Sequence, residues 1–179
     1  MNINVFEDIL NNIHNNEIKK FTIEVLKTVP DYIETIPASS SGKYHPIEAT
    51  KKGGLVFHIR RACFFANMFF NAYKFENTDI KGDIVLSALL LHDIGKKEKY
   101  NNYFKDYVNH PINAVNDYMK FHKDILNEKV YNIIKNCVLH HMGPWTPKSI
   151  KKDIKKYNLL ELIVYNSDYL SSQKNIIIK

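Results

Sequence analysis

Apolar residues recur along most of this chain at three- and four-residue steps, the spacing that lines one face of an α-helix. Val5, Ile9 and Ile13 open the series; Ile18, Phe21, Val25 and Val29 continue it until Pro30 closes the region. Residues 31–54 lose the period. Pro37, the run Ser39-Ser40-Ser41-Gly42, Pro46 and Gly53-Gly54 read as a long irregular connection. A strongly apolar helix follows over 55–73 (LVFHIRRACFFANMFFNAY). Asn77, Thr78 and Asp79 are N-cap candidates for another over about 83–94, with Gly95 as its C-terminal cap. Residues 96–108 are polar and loop-like. Pro111 sits in the first turn of a helix reaching about His122, and a further helix covers about 126–141 until Gly143-Pro144 breaks it. Short and final helices are expected over 148–156 and about 158–172. β-branched alternation is short and rare. The pattern predicts an all-α fold: one domain of seven to eight helices, with N-terminal helices in 1–30, an irregular segment at 31–54 and a core at 55–172.

Composition narrows the class more than the function. A chain of 179 residues, 45% hydrophobic and 25% charged, is an ordinary globular domain rather than a disordered segment. Six Gly and six Pro exclude collagen-like and linker compositions. Two Cys exclude a disulfide scaffold and point to a reducing compartment. Cys63 and Cys137 both lie in apolar helical contexts and read as small buried hydrophobes. No apolar run approaches the ~20 residues of a membrane span. The segment MNINVFEDIL lacks the layout of a signal peptide, so a cytoplasmic protein without a membrane partner is expected. The formal net charge of +6 is compatible with nucleic acid, an anionic surface or a small phosphate-bearing ligand. The basic tract KSIKKDIKKY (148–157) reads either as a solvated helix face or as a phosphate-attracting rim. Ile-rich helices and Ile176-Ile177-Ile178 permit a homodimer without requiring one.

The histidines change the picture, because they are placed rather than scattered. His92-Asp93 ends the apolar run Val85–Leu91, where an unpaired polar pair would be costly. His58 lies on the preceding apolar helix, His110 at a helix start, His140-His141 at the end of YNIIKNCVLHH, and Asp168 inside the last helix. Five of the eight His and two carboxylates therefore sit at ends or on buried faces of separate helices. Imidazole with carboxylate suits Mn, Fe, Ni, Co or Zn. Consecutive helical residues point about 100° apart, so His140 and His141 face different directions.

The order His…His-Asp…His…His-His…Asp resembles the HD-domain superfamily of metal-dependent phosphohydrolases. It is carried by GGLVFHIRRA, LLLHDIGK, NHPINAV, CVLHHMG and YNSDYLS, over about residues 45–172. The resemblance implies a helical bundle with a central metal site. His58, His92, Asp93 and Asp168 correspond to the ligands of one divalent metal, and His110 with His141 or His140 to those of a second bridged by Asp93; His141, nearer the helix end, is the preferred ligand, and the other histidine would hold substrate phosphate. It further implies hydrolysis of a phosphate ester or anhydride by metal-activated hydroxide. Asp93, Lys96, His110 and His140 would be the catalytic group, and Lys96 would contact the substrate phosphate. Arg61 shares a helix face with His58 and would bind phosphate or pair with an acidic residue. Lys43 and His45, in a Ser/Gly/Pro-rich stretch resembling a lid, would contact phosphate or merely pack; Trp145 would stack on a base or pack partly buried. The spacing from HDIGK through NHPINAV is similar to small dinucleoside-polyphosphate hydrolases, so a nucleotide-type substrate is preferred. The alternatives are a nuclease acting on oligonucleotide ends, a di-iron oxygenase, and a non-catalytic interaction module, the last disfavoured because Asp93 and His58 are both present.

Overall fold

The fold is arranged around a helix that has no polar side. In the computed structural model, which describes residues 1–39, 42–76, 79–97 and 107–178, the described elements are all helical. They are α1 (Glu7–Asn11), α2 (Asn16–Thr28), α3 (Gly54–Ala72), α4 (Ile80–Leu91), α5 (His110–Asn113), α6 (Glu128–His140) and α7 (Leu159–Ser171), joined by short 3₁₀ turns. Every residue of α4 from Asp83 to Leu91 is buried, as expected of a helix that is apolar all round. Helices α2, α3, α6 and α7 each pack on it, and α3 and α7 lie along one another. The two polar side chains within that buried stretch are satisfied. Asp83 accepts from the amides of His14 and Asn15 at 3.0 and 2.7 Å, and Ser87 shares a 2.7 Å hydrogen bond with Thr22. Among the described residues, no helix is long and apolar enough to cross a membrane.

Helix starts follow local chemistry. The side chains of Asn15, Asp79 and Asn127 each accept from amides of the turn they precede. Asn158 and Glu161 form a reciprocal capping box at α7. Asp79 is thus the cap of α4, while Asn77 and Thr78 lie outside the described residues. Of the expected loop 96–108, residues 98–106 also lie outside them.

Three local expectations are corrected. First, α4 begins at Ile80 and ends at Leu91, earlier at both ends than the apolar run implies. Gly95 does not cap it, since it is absent from the positive-φ glycines. Its role is close approach: a Cβ at Gly95 would lie 2.1 Å from the carbonyl oxygen of His110 and 2.5 Å from the amide of Ala114. Second, the helix expected from Pro111 to His122 is only four residues of α5, followed by a widened π turn (Ala114–Tyr118) and a 3₁₀ stretch (Met119–Ile125). The widening starts at Ala114, the residue pressed against Gly95. Third, the expected helix at 148–156 is two separate turns, Lys148–Ile150 and Ile154–Lys156. Lys151 donates to the carbonyl of Pro144 at 2.7 Å, and Asp153 caps the second turn instead of continuing the first.

Gly95→Ala should therefore push α5 off the end of α4. Overpacking of this kind costs about 1–3 kcal/mol. Urea denaturation should show that loss as a lower midpoint with an unchanged slope; an unchanged midpoint would mean the contact yields freely.

Candidate metal centre

Five elements deliver six side chains into one interior volume. His58 comes from α3, His92 and Asp93 from the turn that ends α4, and His110 from the first residue of α5. His141 follows α6 directly, and Asp168 lies on α7. Nε2 of His58 is 2.9 Å from Oδ1 of Asp168 and 3.3 Å from Nε2 of His92. Oδ2 of Asp93 lies 3.5 Å from both of these imidazoles, and Oδ1 of Asp168 is 3.6 Å from His92. On the opposite side, Nε2 of His110 is 2.9 Å from Oδ1 of Asp93 and 3.0 Å from Nε2 of His141. His141 is itself 3.7 Å from that oxygen. The two oxygens of Asp93 thus face two different groups of imidazoles.

The far side of each ring fixes what the near side can do. Nδ1 of His92, His110 and His141 lies 2.6, 2.5 and 2.7 Å from the carbonyl oxygens of Leu89, Tyr107 and Val138, each three residues upstream. A carbonyl can only accept, so each Nδ1 carries the proton and donates it. Nδ1 of His58 donates to Oγ of Ser171 at 2.9 Å, because that hydroxyl gives its own proton to the carbonyl of Asp168 at 2.7 Å. All four Nε2 atoms therefore turn lone pairs inward in the neutral rings. Lone pairs facing one another at 3.0 and 3.3 Å, beside two carboxylates, repel unless a cation lies among them.

The spacing fits metal coordination. Donors bound to one cation at about 2.0–2.1 Å stand about 2.8–3.4 Å apart when adjacent, at octahedral or tetrahedral angles. Two overlapping groups come near this geometry, His58 with His92 and Asp168, and His92 with Asp93 and His141, the ligand atoms of each lying within 4.8 Å of one another. The donor set is nitrogen and oxygen without thiolate, which suits Mn, Fe, Co, Ni or Zn. Burial opposes ionisation of Asp93 and Asp168, yet both carboxyls are held well below the usual range, Asp93 by Lys96 and His92, Asp168 by His58 and His92. Burial pushes His141 down to about 3, reinforced by His92, so it stays neutral. For His92 burial acts downward too, but the carboxylates of Asp93 and Asp168 outweigh it and raise it.

The remaining candidates fall into three groups. Lys96 is buried rather than solvent-facing, and its ammonium donates to Oδ2 of Asp93 at 2.7 Å and to the carbonyl of Ala38 at 3.2 Å. His45 lies at the edge of the centre, its ring 5.5 Å from that of His58, and burial pushes it down to about 4. His140 faces away from Asp93. Its Nδ1 is 2.8 Å from Oε1 of Glu161, a buried carboxylate that also takes Lys152 at 2.6 Å and the amide of Asn158 at 2.8 Å. Arg61 does not reach the centre and pairs with no carboxylate through the hydrogen bonds described. Its guanidinium donates to the carbonyls of Ser171, Gln173 and Ile176, latching the end of α7 and the following segment to α3. Lys43 is exposed, with its ammonium 5.2 Å from the ring of Tyr44. Trp145, four residues beyond His141, is 60% exposed. Burial pushes the Cys63 thiol up to about 12 and Cys137 higher still, so neither is a nucleophile.

Two residues of the site escaped the sequence reading. Ser171 is one helical turn after Asp168, and a Ser three residues beyond a candidate ligand is too common to single out. Glu161 is recognisable from sequence only as the third residue after a capping Asn158; its tie to His140 needs the packing of α6 on α7.

Among known proteins, the family model for the HD domain matches residues 55–173, about two thirds of the chain. The chain belongs to the HD domain family, whose members are in general metal-dependent phosphohydrolases and bind divalent metals. No curated protein and no solved structure gives a significant match.

Ser171→Ala removes the acceptor that holds the His58 tautomer. Such a loss lowers metal affinity about 10–100-fold, which competition against a chromophoric chelator would read. His110→Ala should keep the fold and the metal held by His58, His92 and Asp168 but lower the bound metal by up to one equivalent in elemental analysis. Equal metal content in wild type and His110→Ala would rule out a metal at that side.

Proposed function

We propose that this protein is a two-metal phosphohydrolase that cleaves a phosphate ester or anhydride of a nucleotide-type substrate. The observation that carries the reading is the division of Asp93: Oδ1 faces His110 and His141, and Oδ2 faces His58 and His92. That is the arrangement of a carboxylate shared by two cations. Bound there, divalent metals would lower the pKa of water towards neutrality and offset negative charge on phosphoryl oxygens.

The roles of the chain's own residues follow. Asp93 and Asp168 supply the anionic half of the cage, and His58, His92, His110 and His141 supply neutral donors whose tautomers are already set. Lys96 holds Oδ2 of Asp93 in place and keeps a positive charge within the buried cluster, where it favours an incoming phosphate. His140 stands outside the cage, its ring oriented by Glu161. The phosphoryl group would reach the centre beside Asp168, whose side chain is 19% exposed while those of the other five candidate ligands are at most 3% exposed.

A small substrate is preferred to a nucleic acid. The basic tract does not form one continuous helical face, and two of its lysines are engaged, Lys151 by Pro144 and Lys152 by Glu161.

A phosphate-release screen of the metal-loaded protein over nucleotides, dinucleotides and oligonucleotides tests the proposal. Turnover on at least one nucleotide-type compound is expected. Asp93→Asn should lower kcat by at least about 100-fold, the scale of losing one preorganised charge-stabilising group. Oxygen consumption without phosphate release would replace the reading with oxygenase chemistry.

A further inference from the structure

Outside the metal cage, one exposed feature has the shape of a ligand site. Trp145 is 60% exposed and Tyr169 is 40% exposed. Their rings lie parallel to within 9°, with centroids 6.5 Å apart. Large aromatic side chains are more usually buried, and a pair left in water with parallel faces calls for an explanation. Tyr165 continues the surface, 6.2 Å from Tyr169, and its own ring packs against Gly143. A Cβ at Gly143 would stand 2.3 Å from the Tyr165 ring, and the left-handed φ of +56° there suits glycine. The turn that carries Trp145 is thereby seated directly on α7.

Position ties this lip to the centre. Tyr169 is the chain neighbour of Asp168, the one candidate ligand whose side chain has appreciable exposure. Trp145 follows His141 by four residues, which at about 3.3–3.6 Å per residue is within about 15 Å of chain. The aromatic pair therefore stands close along the chain to two of the candidate ligands, Asp168 and His141. Neither ring is itself a ligand, so a phosphoryl group on the metals and a planar group on the rings need a spacer between them.

We propose that Trp145 and Tyr169 form the subsite for the nucleobase of the substrate, with the sugar spanning the step from the lip to the metals. This rests on the phosphohydrolase reading for the phosphate but not for the ring. Stacking on parallel aromatic faces tolerates any base, because every base has a π-face. The subsite therefore selects nucleotides over plain sugar phosphates without strong choice among bases. An aryl phosphate, whose ring is attached directly to the ester oxygen, lacks the spacer and gains nothing from it.

Trp145 is the only Trp of the chain, so its fluorescence reports this lip alone. The full-length, metal-loaded protein is titrated with adenosine 5′-methylenediphosphonate, which resists hydrolysis at its bridging carbon, and with methylenediphosphonate alone. Saturable quenching by the first and not by the second is expected. In kinetics, Trp145→Ala and Tyr169→Leu should each cut the preference in kcat/KM for a nucleotide over ribose 5-phosphate about ten-fold, chiefly through KM. Trp145→Phe should restore most of it, and phenyl phosphate should respond to none of the three. Equal fluorescence with both diphosphonates, or an unaltered preference in folded Trp145→Ala, would overturn the subsite. Absence of turnover on every phosphate compound would instead overturn the phosphohydrolase reading, while the quenching still decides the subsite.

Discussion

The structure depends on a helix that is buried on every side and ends inside the protein. Helix α4 has neighbours on all flanks, so the chain leaving its last turn emerges into the interior rather than into water. Its terminal carbonyls and the adjacent His92 and Asp93 cannot be hydrated there. They must be satisfied by what the surrounding helices bring. Leu89 is answered by His92 itself, and Asp93 by Lys96, His110 and the imidazoles opposite. The candidate metal centre is the place where this central helix stops.

From that constraint the protonation pattern follows. Three imidazoles are pinned by carbonyls one turn upstream and the fourth by a serine, so orientation and tautomer are set together. Preorganisation of this kind removes alternatives in which an Nδ1 lone pair would face the centre. It leaves Asp93 as the one group presenting an oxygen to each side. Lys96, Glu161 and Arg61 then divide the remaining charge. Lys96 steadies Asp93, Glu161 orients His140, and Arg61 holds the end of α7 that supplies Ser171.

Much of this could be read in the residues before the structure. The periodicity of Ile18, Phe21 and Val25, and the unbroken apolar run Val85–Leu91, identify an all-α fold because burial is written in local spacing. The ligand candidates were visible because His and Asp are rare at the ends of apolar helices. What escaped depends on contacts between distant segments. Gly95 looks like a helix cap in sequence and is a contact surface for α5 in space. Arg61, one turn after His58, reads as a phosphate ligand or the partner of an acidic residue, yet the carbonyls at and beyond the end of α7 capture it. The π turn after Asn113 has no signature in the sequence, and it starts where Gly95 meets the backbone of Ala114. Side-chain identity announces chemistry; it does not announce which partner arrives first.

The contact between His58 and Ser171 joins residues 113 positions apart. A centre closed by so long a loop forms its contacts only after chain entropy has been lost. No piece of the chain shorter than residues 58–168 contains the whole set of donors. A cation held by that set therefore stabilises only the finished fold, and its binding free energy adds to the stability of the native state. For this protein the metal would be a thermodynamic member of the hydrophobic core as well as a reagent, and its supply would govern how much folded protein persists.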